Sequence, residues 1–98
     1  MKIVLVCASG MSTSILVQKM KEAAAKKGIE ADISAVAEPN FADHAAGVDV
    51  LLIGPQARFK FEQLKSEWEP KGLKVAVINT VDYGRMNGEK VLDTALAL

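Results

Sequence analysis

A chain of 98 residues, half of them hydrophobic and 24% charged, has enough apolar material for one core and no length for two, so a single domain over 1–98 is expected. Basic and acidic residues balance at twelve each with no lysine or arginine run, which excludes the footprint of a nucleic-acid binder. One cysteine and one histidine exclude an intrachain disulfide, a CxxC redox pair and a zinc site, so no metal or cofactor is expected and a reducing, cytoplasmic setting fits.

The amino-terminal run Met1–Val6 is too short for a signal peptide, and no apolar run reaches membrane-spanning length, so no direct membrane insertion is expected. Lys2 to Cys7 is continuously apolar and rich in β-branched residues, the pattern of a strand buried on both faces. From about Ser12 to Lys27 the period becomes helical. Leu16, Met20, Ala23 and Ala24 share one side, Gln18, Lys19, Lys21 and Glu22 the other, and Gly28 closes the helix. Residues 29–35 alternate at period two, as an edge strand does. A short helical segment from Pro39-Asn40-Phe41 to Gly47 precedes a second apolar run, Val48 to Ile53, which Gly54-Pro55 stops.

Gln56 to Glu69 reads as a helix burying Phe59, Leu64 and Trp68, ended by Pro70 and Gly72. Leu73 to Ile78 is a fourth strand, partly alternating and so nearer an edge. A last helix from Asn87 or Gly88 to the carboxyl terminus buries Val91, Leu92, Ala95 and Leu96. Strand and helix alternating four times predict an α/β fold: an open four-stranded parallel sheet of order 2-1-3-4 with helices on both faces. Ligands of such sheets bind beyond the carboxyl ends of the strands at the switch point. Cys7 and Gly54-Pro55-Gln56 are expected to meet there.

At that point the central strand ends on Cys7 and passes into Ala8, Ser9, Gly10, Met11, Ser12, Thr13 and Ser14. A thiol near a helix N-terminus has its pKa lowered below the ~8.5 of free cysteine by unpaired N–H groups and the helix dipole. Hydroxyls and a glycine there suit a phosphoryl group. Read alone, Cys7 is a small buried hydrophobe and a serine or threonine here an ordinary helix cap; the strand end, Gly10 and the clustered hydroxyls together are what point to a nucleophile. Arg58 and Lys60 open the third main helix, where the dipole disfavours cations; they face either an anion or only solvent. Met11 is either an exposed docking contact or folded onto the sheet. His44 reads as a surface turn residue, Tyr83 as a residue lining the site, and Asp82 as the cap of the next turn.

The loop from Cys7 to Ser14, with Gly54-Pro55-Gln56 after the third strand and Tyr83-Gly84 after the fourth, resembles the enzyme IIB components of the phosphoenolpyruvate-dependent sugar phosphotransferase system, best the lactose, cellobiose and chitobiose branch. The likeness spans essentially the whole chain. It implies a transferase component in which Cys7 accepts a phosphoryl group from a phosphohistidine on an enzyme IIA partner. Cys7 then passes it to a sugar, a β-linked disaccharide such as cellobiose, chitobiose or lactose, held by a membrane-embedded enzyme IIC permease. Ala8 to Ser14 carry over as the phosphate-holding loop, with Gln56, Arg58 and Tyr83 beside it. The family is similar in fold to low-molecular-weight tyrosine phosphatases, which place an arginine six positions after their cysteine. Here that position is Thr13, which argues against the alternative of a cysteine-dependent phosphatase. A receiver-like binding module would need acidic residues at strand ends, and none follows the first strand. Beginning at Met1 and ending within a helical pattern, the chain is expected to be a stand-alone monomer with transient interfaces.

Overall fold

The computed structural model describes residues 1–7, 11–37 and 40–98, and of Cys7 and residues 11–13 the backbone alone. Its strands are β1 (Lys2–Cys7), β2 (Asp32–Ala37), β3 (Val50–Ile53) and β4 (Lys74–Val77). They pair in parallel in the order β2-β1-β3-β4, as the pattern of apolar runs predicted. Residues 3–6 of β1 and all of β3 are buried, while β2 and β4 are partly exposed. Strands bare on one edge need some polar or half-exposed positions; strands covered on both faces do not.

The helices are α1 (Met11–Lys27), α2 (Phe41–His44), α3 (Phe61–Trp68), α4 (Thr80–Gly84) and α5 (Gly88–Leu96). Alternate residues of each strand feed two cores. Ile3 and Leu5 of β1, Ile33, Val50 and Leu52 pack with Leu16 and Met20 of α1 and Val91 and Leu92 of α5. Val4 and Val6 of β1, with Leu51, Ile53 and Val75, pack instead with Phe41, Leu64 and Trp68. Trp68 meets Phe41 edge to face, ring centroids 5.0 Å apart.

Helix α1 ends as expected. Gly28 takes φ +69, donates to Ala25 O at 3.2 Å, and Ile29 N–H donates to Ala24 O at 2.9 Å, the paired closure of a left-handed C-terminal turn. That turn occupies residues 28–31, which is why β2 starts at Asp32, three residues later than the alternating pattern predicts. Packing of α1 against α5 depends on Gly88. A Cβ there would lie 2.5 Å from both Lys19 C and Met20 N, backbone atoms that cannot swing aside. Gly88→Ala is therefore expected to force the helices apart and lower stability by about 1–3 kcal/mol, the usual range for overpacking. A shift of the urea midpoint with unchanged slope would register it.

One expected helix is divided. Residues Pro55–Lys60 form a 3-10 helix, α3 follows, and Glu69–Lys71 form another 3-10 turn closed by Gly72 at φ +98. Lys60, at φ −90 and ψ −2, sits in the bridge region where the 3-10 segment passes into α3. The residues turned inward are Ala57, Leu64 and Trp68, whose spacings of seven and eleven fall on one helical face. Phe59 lies five positions before Leu64, on the opposite side, and is 75% exposed. The expectation that Phe59 belongs to the core is thus overturned, while Leu64 and Trp68 are buried as predicted.

Candidate functional site

The carboxyl ends of the strands are where the chain gathers its unusual residues. Strand β1 ends at Cys7, and α1, 17 residues long with no acid in its first turn, begins four positions later. A helix N-terminus free of carboxylates favours an anion. Next to it, Gly54 N–H donates to Val6 O at 2.7 Å, which sets the start of the 3-10 segment beside the end of β1. Gly54 stays extended at φ −61 and ψ 150, and Pro55 takes the first helical position, where its missing N–H is no loss.

Beyond β4, Asn79 caps α4. Its side-chain oxygen accepts from Val81 N at 2.8 Å and Asp82 N at 3.2 Å. The cap is thus Asn79 and not Asp82, and Asn87 fills the same role for α5, accepting from Lys90 N at 3.2 Å. Physically, an N-cap must precede the first helical turn, and Asp82 already lies within it. The sequence signal was present: Asn79 followed three residues later by Asp82 is a helix-start pattern. Removing the cap with Asn79→Ala is expected to lower stability by about 1 kcal/mol and to loosen Thr80 and Tyr83. Faster amide exchange confined to α4 would report it.

The 3-10 segment and α4 enclose a cleft of about 590 Å³, lined by Pro55, Gln56, Arg58, Phe59, Thr80, Tyr83 and Gly84. Three residues singled out from the sequence, Gln56, Arg58 and Tyr83, are thereby brought together. Tyr83 is a wall residue, 6% exposed and packed with the α1 and α5 core, whereas Gln56 and Arg58 are exposed. Thr80 and Phe59 join the lining without having been foreseen. His44, at the end of α2, is exposed and does not line this cleft.

Of the predicted phosphate loop, Ala8, Ser9 and Gly10 lie outside the described residues, and Cys7, Met11, Ser12 and Thr13 are described by backbone only. Whether Met11 faces outward or onto the sheet falls outside them too. Ser14 is exposed in the first turn of α1. Among the described residues no group of three or more His, Cys, Asp or Glu side chains could hold a metal ion, and no helix is long and apolar enough to cross a membrane.

Residues 2–94 match the family model described as PTS system, Lactose/Cellobiose specific IIB subunit. The chain is 43% identical over 97 residues to the PTS system oligo-beta-mannoside-specific EIIB component of Bacillus subtilis (strain 168), covering 99% of this chain and 94% of that protein. It is 43% identical over 98 residues to the galactose-specific EIIB component of Lactococcus lactis subsp. cremoris (strain MG1363), covering 95% and 91%. Among solved structures it is similar to the cellobiose-specific phosphotransferase IIB component from Borrelia burgdorferi, with TM-score 0.80, 47% identity and coverage of 99% and 89%. A YwlE mutant from Bacillus subtilis, at TM-score 0.60, 15% identity and coverage of 94% and 93%, shares the fold alone.

Proposed function

The chain belongs to the lactose/cellobiose-specific IIB subunits of the sugar phosphotransferase system, and from that premise we propose that it is a phosphoryl carrier in which Cys7 is the phosphorylated residue. One observation carries the proposal: Cys7 ends the central strand immediately before the amino end of a long helix whose first turn holds no carboxylate. There the thiolate and the dianionic group it would receive are both favoured.

In the first step the Cys7 sulfur attacks the phosphorus of a phosphohistidine on an enzyme IIA donor. The S–P bond forms, the P–N bond breaks, and the electron pair returns to the imidazole. In the second, a sugar hydroxyl oxygen attacks the same phosphorus; the O–P bond forms and the Cys7 thiolate departs. The hydroxyl proton leaves to a base. The sugar, a β-linked disaccharide of the cellobiose, chitobiose or lactose kind, is held by an enzyme IIC permease in the membrane. The carrier works in the cytoplasm as a monomeric domain over residues 1–98. Residues Ala8 to Ser14 supply amide and hydroxyl donors to the phosphoryl oxygens.

No arginine occurs between Cys7 and Ser14. A guanidinium bound through two hydrogen bonds would stabilise the transition state for attack by water; without one, the phosphocysteine persists until the sugar arrives. Positive charge for each transfer is then supplied from outside this loop. Incubation with a phosphorylated IIA protein, followed by intact-mass and peptide analysis, tests the assignment. A persistent single phosphoryl group on Cys7 is expected, and prompt release of free phosphate would instead indicate a phosphatase.

A further inference from the structure

Phe59 is a large apolar side chain that the fold leaves out. Its neighbours Ala57 and Phe61 turn toward the core, yet Phe59 is 75% exposed on the rim of the cleft formed with Pro55, Gln56, Thr80 and Tyr83. A ring that projects outward gains nothing from burial in the free protein, and on the rim of the cleft it is free to enter a partner's pocket. Small-molecule sites are built the other way, with aromatic groups in the walls enclosing most of the ligand. Beside Phe59, Arg58 is exposed and, among the described lining residues, carries the formal charge, and the same 3-10 segment adds Lys60 and has no acid in its first turn. Arg58 and Phe59 lie four and five positions after Gly54, which is hydrogen bonded to β1 one residue before Cys7.

We propose that Arg58 and Phe59 form the anchor by which this chain docks its phosphorylated donor protein. This rests on the reading of Cys7 as phosphoryl acceptor. Charge complementarity selects the occupant. A donor arriving with phosphohistidine presents an anion at the centre of its contact face, and Arg58 attracts it while Phe59 enters an apolar pocket next to it. Once the phosphoryl group has moved to Cys7, the same guanidinium is offset by charge on its own chain, and its pull on the emptied donor weakens. The anchor therefore favours the loaded donor over the spent one.

The test uses a phosphorylated lactose/cellobiose-type IIA protein as donor and follows phosphocysteine formation against donor concentration. Phe59→Ala is expected to raise the half-saturating donor concentration about 10- to 30-fold with the maximal rate within about twofold. Arg58→Ala raises it about 5- to 10-fold and removes most of the salt dependence; Arg58→Lys retains that dependence. Unchanged half-saturation in Phe59→Ala, or a fall confined to the maximal rate, overturns the proposal. So does saturable cellobiose binding abolished by Phe59→Ala, or a dimer in sedimentation that the same substitution dissociates. Calorimetric titration of Cys7→Ser protein with the phosphorylated donor separates the two levels. Donor binding that Phe59→Ala weakens while unmodified protein accepts no phosphate upholds the anchor and removes the carrier reading. Transfer to Cys7 with donor binding indifferent to Phe59 does the reverse.

Discussion

Cys7→Ser protein is expected to take up no phosphoryl group from a phosphorylated IIA donor, and sugar phosphorylation that depends on it to fall by at least about 10³-fold. The reason is nucleophilicity at neutral pH. A thiol beside a helix amino end is readily ionised, whereas a serine hydroxyl needs an adjacent base to remove its proton. The chain's one histidine, His44, lies exposed at the end of α2. The exchange of sulfur for oxygen is nearly isosteric, so the variant should melt close to the unmodified protein, which distinguishes lost chemistry from lost folding. Phosphate recovered on His44 or on a hydroxyl of Ser12, Thr13 or Ser14 in the unmodified protein would refute the assignment.

Trp68→Ala is the substitution expected to damage the fold most. Trp68 is 7% exposed, edge to face with Phe41, which is itself 1% exposed, and both close the core on the α3 side of the sheet. Truncating a buried tryptophan removes about 3–5 kcal/mol, including the aromatic pair's share of about 0.5–1.5 kcal/mol. A domain of this size holds roughly 5–15 kcal/mol in total, so the variant keeps a fraction of its stability and should melt about 12 °C or more below the unmodified protein. Trp68→Phe retains the ring contact and should lose much less. Lys71, whose ammonium stands 4.5 Å from the Trp68 ring centroid, is exposed, and Lys71→Ala should register no more than about 1 kcal/mol. If Lys71→Ala proved as harmful as Trp68→Ala, the packing account would be wrong.

The sheet was legible in the sequence because burial on both faces leaves an unmistakable record. Residues 3–6 and 50–53 are apolar without interruption since both sides of β1 and β3 are covered, and the order β2-β1-β3-β4 follows from placing such strands inside. Helices α1 and α5 were equally plain, their buried residues Leu16, Met20, Val91 and Leu92 recurring at the helical period. Helix α4 escaped notice: five residues give too few turns for a period, and only its cap, Asn79, marks it. In residues 55–68 the expectation of a buried Phe59 rests on its apolar ring alone, since five and nine positions before Leu64 and Trp68 put it opposite the face those two share.

What the sequence determined alone is local or repetitive: the α/β alternation, the position of Cys7 at a strand end, the stop at Gly54-Pro55 and the closure at Gly28. Each depends on neighbouring residues or on a short period, which the order of residues records directly. Only the tertiary structure decided that Gln56, Arg58 and Tyr83 share a cleft with Phe59 and Thr80, and that Gly88 admits α1 against α5. Those facts depend on separate segments approaching in space, and the approach is set by packing two cores on one sheet, a constraint no short stretch of chain contains.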